Sequence, residues 1–321
     1  MDLFLNLSPS EKKEILFLFQ GLSLEENISI ESLISEIKYK RNSSGYHCTS
    51  CNSSSVSRYG KYRGTQRYIC KDCHKTFTDL SGSCLHYIHQ KQKFLLSAAL
   101  MLKGATLKET SFKLGINIAT AFNWRHKVLS ILNNLEDEAL TGIVEADDTF
   151  FLSSNKGSKN LKRKSRKRGG CSSKRGISSE QVCVIVAKDR KDHIVSGIAT
   201  LGRPSASEID KLLGPSLGSK SILLTDRHPS FSCFAKEKGL HYIPLDISKG
   251  RRSIKGIYHI GHVNSYHSRL KDWIRRFKGI ATKYLNNYLH WFEFLERHLK
   301  NKTEEAAQRA LLLNACLIKA V

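Results

Sequence analysis

The stretch Ile143-Val-Glu-Ala-Asp-Asp-Thr-Phe-Phe151 decides the fold. Its composition is that of a strand, and Gly142 just before it marks a turn. Downstream, QVCVIVAKD (181–189), HIVSGIATL (193–201), SILLTD (221–226) and LHYIPLD (240–246) have the same character, with helical stretches at about 206–213 and 229–238. Three strands in succession, then helix, strand, helix, strand and helix, describe a mixed α/β domain over about 141–300. Within the first strand Asp147 is surrounded by residues expected to be buried, where a carboxylate is costly unless it is paired or holds a metal. Asp226 ends the strand SILLTD, the position where polar chemistry gathers in α/β sheets. If the two strands are neighbours, their carboxylates meet at one end of the sheet.

Outward toward the C-terminus, HVNSYHSRLKDW (262–273) carries Asn264 and Lys271. Their spacing is about two helical turns, which puts an amide and an ammonium on one face of one helix. Helices are expected over about 262–277 and 284–299, with another over about 304–318 inside a terminal segment 301–321. Between the first two strands lies SSNKGSKNLKRKSRKRGGCSSKRG (153–176), basic, rich in Gly and Ser and without apolar periodicity. It is expected to be a mobile loop that grips DNA phosphates through Lys162, Arg163, Lys164, Arg166, Lys167 and Arg168.

Outward toward the N-terminus, residues 84–140 have helical periodicity, with turns at Gly104 and Gly115. A helix-turn-helix fits around Gly115, with Leu107, Thr110, Phe112 and Leu114 packing the first helix and Ala119, Phe122 and Trp124 the second. Asn117, Thr120, Asn123, Arg125 and Lys127 are then expected to be exposed, as donors to base edges and phosphates. Residues 43–83 are rich in Ser, Gly, Cys and Tyr and suit short hairpins. Cys48-x-x-Cys51 and Cys70-x-x-Cys73, separated by eighteen residues, match two knuckles converging on one structural Zn²⁺. His47 and His74 could replace a cysteine ligand, although solvent or supporting roles suit them better. Arg58, Lys61, Arg63, Arg67, Lys71 and Lys75 point to a DNA-contacting face on this ribbon. A helical arm over 1–42 precedes it, opened by the capping-box pattern Ser8-Pro-Ser-Glu11, with a second helix over about 30–38.

The whole chain of 321 residues has 52 lysines and arginines against 29 acidic residues, a formal charge of +23 that implies a polyanionic partner. No apolar run is long enough to span a membrane, and the first residues lack signal-peptide features, so a cytoplasmic location is expected. The cysteines are odd in number, and four of the nine lie in the two pairs, which favours thiolate ligation over a disulfide framework.

The segments VEADDTFF, LLTDRHPSF, HVNSYHSRLK and the following FKGIATKYLNNYLHWF together resemble the zinc-ribbon group of insertion-sequence DDE transposases, whose signature is Asp, Asp, Asn, Lys. The resemblance covers about residues 46–298. It implies an RNase H-like catalytic domain preceded by a zinc ribbon and a helix-turn-helix. It also implies recognition of terminal inverted repeats, and Mg²⁺- or Mn²⁺-dependent strand cleavage followed by strand transfer. Asp147, Asp226 and Asn264 would be the metal ligands and Lys271 a phosphate anchor, with a homo-oligomer, expected to be a dimer, on paired ends. The position after the first aspartate, often Glu in this group, is Asp148 here. Strand alternation turns it away from Asp147, so a packing role is expected for it. Two other readings compete: a metal-dependent nuclease without strand transfer, which shares all of these residues, and a non-catalytic DNA-binding regulator that keeps the ribbon and helix-turn-helix but not the chemistry, against which the intact Asp147, Asp226, Asn264 and Lys271 argue.

Overall fold

The computed structural model describes residues 30–62, 64–132, 139–161, 164, 166, 169–246 and 253–298. The expected helices at 8–19 and 304–318 lie outside them. These residues fall into two compact units, one reaching Ala105 and including Thr110–Asn117, the other comprising Thr106–Glu109 and the described residues from Ile118 onward.

In the first unit, helix α1 (Ile30–Arg41) precedes a three-stranded antiparallel sheet, β1 (Val56–Tyr62), β2 (Thr65–Cys70) and β3 (Thr76–Thr78), in that order. Its core is small: Tyr68 and Phe77 pack against Cys48 and Cys70. So few apolar groups stabilise a fold poorly, and a metal cross-link is the usual remedy. Helix α1 is not a separate arm, because Arg41 donates to the carbonyls of Asp79 and Ser81, both at 2.8 Å. Helices α2 (Lys91–Leu102) and α3 (Leu107–Leu114) follow. Leu100, Ala105 and Leu114 form a common core, and Gly104 turns the chain at φ 68°. At the start of α3, Thr106 and Glu109 cap each other reciprocally, a capping box that satisfies two otherwise unpaired N–H groups.

The second unit begins with α4 (Ile118–Leu132) and is built on a five-stranded sheet. Its strands are β4 (Ile143–Leu152), β5 (Gln181–Asp189), β6 (Ile194–Leu201), β7 (Ile222–Asp226) and β8 (His241–Leu245), in the spatial order β6-β5-β4-β7-β8. β4 and β5, like β5 and β6, are antiparallel; β7 runs parallel to β4 and β8 parallel to β7. Helices α5 (Ala206–Leu213), α6 (Pro229–Glu237), α7 (Gly261–Arg275) and α8 (Thr282–His298) complete the element order expected from the sequence.

Burial on both faces explains the unbroken apolar run of β5, whose residues Val182 to Ala187 are fully buried. On one face, Val144, Ala146, Cys183, Ile185 and Ala187 pack with Ile209 and Leu213 of α5 and Phe231 and Phe234 of α6. Gly197 of β6 permits this close approach, since a Cβ there would lie 2.5 Å from Leu212 Cδ1. α5 starts in a Ser205–Glu208 capping box, and α6 has Pro229 in its first turn after His228 as N-cap. On the other face α7 packs against β4 and β5, and α8 against β6.

The insertion between β4 and β5 is not the loose loop expected, at least where it is described. Arg166 donates to the Ser153 carbonyl and pairs with Glu180 at 3.6 Å. Glu180 also accepts from the hydroxyls of Ser172 and Ser173 and the backbone N–H groups of Ser173 and Lys174. These donors hold its carboxyl down at about 2. A single acceptor thus gathers the serine-rich end of the insertion, a local chemistry that hydropathy does not register.

Candidate functional site

In the first unit the four thiols of Cys48, Cys51, Cys70 and Cys73 lie within 4.8 Å of one another. The closest sulfur pairs are Cys48–Cys73 at 3.5 Å and Cys51–Cys70 at 3.6 Å, near the edge of a tetrahedron with Zn–S bonds of about 2.3 Å. Both knuckles are built alike. Asn52 and His74, each just after the second cysteine of its pair, adopt φ of 61° and 57° and donate their N–H to the Cys48 and Cys70 carbonyls. Burial opposes ionisation of the Cys48 thiol, yet backbone N–H groups of Cys51 and Ser50 outweigh it and bring the thiol down to about 6. The donor set fits one zinc ion, and neither His47 nor His74 is among the converging ligands.

Around this centre Arg58, Lys61, Lys71 and Lys75 are exposed and Arg67 is half-buried, while Arg63 is outside the described residues. Of the residues expected to face DNA from the helices, Asn117 and Asn123 are exposed and Thr120 and Lys127 half-buried. Arg125 departs from that expectation. It is 2% exposed, with its guanidinium 5.2 Å from the Trp291 ring centre and 5.8 Å from that of Phe277. It ties α4 to α8 within the second unit and is not on the exposed face. The expected packing of the helix pair is corrected at two further places: Phe112 is 76% exposed, and Ala119 is exposed too. In the insertion, Lys164 is exposed and Arg166 is engaged as a tether, while Lys162, Arg163, Lys167 and Arg168 lie outside the described residues.

In the second unit the two expected aspartates come together. β4 and β7 are parallel neighbours with Glu145 opposite Leu224, so two residues further Asp147 and Asp226 reach the same level on the same face. Burial raises the Asp147 carboxyl, and Asp226 and then Asp148 raise it further, to about 7; Lys271 pulls the other way. Asp148 was expected only to pack. It instead lies in the same electrostatic cluster, its carboxyl raised by burial and then by Asp226, with His228 and Arg203 offsetting. Arg203 and His228 are themselves 3.1 Å apart. β4 runs on past the end of β7 at Asp226 and stays paired to β5, with Asp148 opposite Ile185, so Asp148 keeps the opposite face from Asp147 and feels the Asp226 charge across the end of β7.

Helix α7 lies against β4 and exposes Asn264, Ser268 and Lys271 along one stripe. Between them the buried His267 brings Nδ1 to 3.6 Å from Asp147 Oδ2. Burial, then Lys271, lowers this imidazole to about 4, so it is neutral at physiological pH. His267 is not among the site residues that the sequence pattern singled out. The signal available was its position three residues after Asn264 and four before Lys271, on the face those two define. At the start of α7, Glu145 accepts from the backbone of His262 and Val263, a contact that sequence reasoning did not foresee.

An all-oxygen donor set from Asp147 and Asp226 suits a hard divalent cation, and a carboxyl held partly neutral by its neighbours is what such a cation would relieve. No helix among the described residues is long and apolar enough to cross a membrane.

Residues 139–296 match the model of the ISXO2-like transposase domain. The chain is 25% identical over 296 residues to a protein of Halobacterium salinarum described as an uncharacterized protein in transposable element ISH50, a match covering 88% of this chain and 95% of that one. Among solved structures, a pre-cleavage Mos1 transpososome aligns with 69% of this chain and 78% of its own at 12% identity, with a TM-score of 0.25 that carries no argument. The family match spans both aspartates and α7, and the halobacterial relative is aligned over nearly its whole length; together these matches support an insertion-sequence transposase in which residues 139–296 resemble the ISXO2-like domain.

Proposed function

We propose that this transposase recognises the terminal inverted repeats of its element and cuts and joins DNA strands at Asp147, Asp226, Asn264 and Lys271. The observation that carries this reading is the meeting of Asp147 and Asp226 at the C-terminal end of β7, on neighbouring interior strands beneath α7, with the Asp147 carboxyl raised to about 7 by burial and by its acidic neighbours. A structural role would not gather carboxylates where each raises the cost of the next. The strand order and directions, with an antiparallel β5 between β4 and β6, are those expected of an RNase H-like domain and support that assignment.

In this reading Asp147 and Asp226 hold divalent Mg²⁺ or Mn²⁺, with Asn264 as a neutral oxygen donor on the facing helix. Bound there, the metal would polarise the scissile phosphate and activate water or a 3′ hydroxyl. His267 orients Asp147 from α7. Lys271, exposed one turn further along α7, places an ammonium for a phosphate oxygen as charge develops on it. The exposed cations of the ribbon, with Asn117 and Asn123, supply the grip on the element's ends, and the zinc holds the ribbon in shape. A dimer on paired ends follows from the need to process two termini together.

The test uses the purified chain and a labelled fragment bearing the element's own terminus. Nicking and strand joining in Mg²⁺, both lost in Asp226→Ala, are the expected result. End binding without cleavage in either metal would instead assign a DNA-binding regulator, and cleavage without joined products a nuclease.

A further inference from the structure

We infer that Glu145 is a positioning residue that sets the height of the catalytic helix α7 on strand β4, an inference that rests on the site proposed above. Glu145 is 1% exposed and stands outside the apolar core. The first N–H groups of any α-helix lack intrahelical partners and are normally capped by the side chain just before the helix. In α7 that position is Ile260, which offers no acceptor. The acceptor comes instead from the sheet. Glu145 Oε2 receives the backbone N–H of His262 at 2.8 Å and that of Val263 at 3.1 Å. Its other oxygen lies 2.7 Å from both His262 Nδ1 and Arg190 Nη1, and 3.6 Å from His259 Nδ1. Arg190 in turn donates through Nη2 to the Ile257 carbonyl at 2.8 Å, tying the preceding loop to the same point.

The geometry along the strand gives this contact its consequence. From Glu145 to Asp147 a strand advances about 6.6 Å. At about 1.5 Å per residue that distance takes a helix between four and five residues beyond His262 and Val263. The residue reached is His267, whose Nδ1 is the atom 3.6 Å from Asp147 Oδ2. Two contacts in matching register therefore fix how far α7 slides along β4, and Asn264 and Lys271 fall on either side of Asp147 because of it. The carboxylate also sits at the positive end of the helix dipole, which adds to its hold. Glu145, His259 and His262 could be read as a second metal site, since their ligand atoms lie within 4.8 Å of one another. The Arg190 guanidinium beside the same carboxylate oxygen argues for a hydrogen-bonded pin, because a cation of that charge competes with a metal for the same electrons.

The experiment compares the full-length zinc-loaded chain with Glu145→Ala and Glu145→Gln. Amide hydrogen exchange over the first turn of α7 reads the pin with no need of activity. Glu145→Ala is expected to speed exchange there on the order of tenfold, the scale of a lost helix cap, with the ribbon and the far end of α7 unchanged. Glu145→Gln, which keeps an oxygen for the two N–H groups, is expected to restore most of the protection. Cleavage of a labelled terminus should fall about a hundredfold in Glu145→Ala with end affinity nearly unchanged, the pattern of misplaced reacting groups. Glu145→Gln should recover much of that rate. Unchanged exchange in Glu145→Ala overturns the pin, as does a zinc content of two ions per chain in place of one. A wild type that fails to cleave would sink the catalytic reading while the exchange result still decides the pin. If the wild type cleaves and Glu145→Ala alters exchange without slowing cleavage, the contact caps a helix and positions nothing.

Discussion

Replacing Asp147 with Asn should make the metal-free protein more stable, not less. The carboxyl of Asp147 is shifted from 3.8 to about 7, first by burial and then by Asp226 and Asp148. An unfolded chain releases this proton near 3.8, whereas the folded chain keeps it until about 7. Over that interval the native state binds more protons than the unfolded one, so its stability falls as pH rises and is lowest above pH 7. At about 1.36 kcal/mol per tenfold change in the ionisation constant, the full penalty is on the order of 4 kcal/mol. With 16% of the side chain exposed, water and local relaxation reduce it to about 2–3 kcal/mol. Asn keeps the volume and sheds the charge. For a domain of this size the gain corresponds to a rise in Tm of about 4–12 °C near pH 8, shrinking steadily as the pH is lowered toward 4. The melt is followed in the second unit, in magnesium-free buffer without chelator so that the ribbon's zinc is undisturbed. Added Mg²⁺ should then raise the Tm of the wild type and leave the variant nearly unmoved, because the ion relieves a repulsion the variant lacks. A variant that melts at or below the wild type near pH 8, or a difference that does not depend on pH, would refute the reasoning.

Three further outcomes are expected. Cys51→Ala should release zinc and abolish end binding while the second unit melts as before, measured by metal analysis and gel shift. Lys271→Ala should slow cleavage by about a hundredfold with little change in end affinity, which single-turnover kinetics on a labelled terminus would establish. Arg125→Ala should destabilise the second unit by about 2–3 kcal/mol through lost packing on Trp291 and Phe277, whereas Asn123→Ala should leave the melt unchanged and weaken DNA binding; calorimetry paired with a binding titration separates the two.

The contrast between Arg125 and Asp147 shows which features the sequence carries openly. Strand character is local, so β4 to β8 and the helices between them were legible from residue pattern alone, and with them the neighbourhood of Asp147 and Asp226. The knuckles were legible because metal ligation demands a fixed spacing. Arg125 was not, since an arginine in a helix reads as exposed unless the aromatic residues that cover it, far along the chain in and just before α8, are already known to pack there. Phe112 fails in the opposite sense: a helical stripe names an apolar residue without naming a partner for it, and it is exposed. The charge on Asp148 was less legible, because alternation tells which face a residue takes and not which charges it feels across the end of a neighbouring strand. Glu145 escaped notice for a related reason, as a lone buried acid in a strand declares its role only when a helix terminus arrives to use it.

These cases share one physical origin. Three carboxylates, Asp147, Asp148 and Asp226, crowd the end of β7 and the strand beside it, and burial with mutual repulsion raises both Asp147 and Asp148. A strand end can carry that load only if the rest of the sheet is rigid enough to keep the charges from moving apart. The fully buried Val182 to Ala187 of β5, hydrogen-bonded to β4 along its whole length from Val144 to Leu152, supplies that rigidity from one side. From the other, α7 is fastened at Glu145 and touches Asp147 through His267. A divalent cation would relieve what remains: among the described residues Arg203 and His228 offset Asp148, and Arg190 is held at Glu145. Lys271 alone faces Asp147 from the helix, too little charge for three carboxylates and enough to hold a phosphate once a metal has neutralised them.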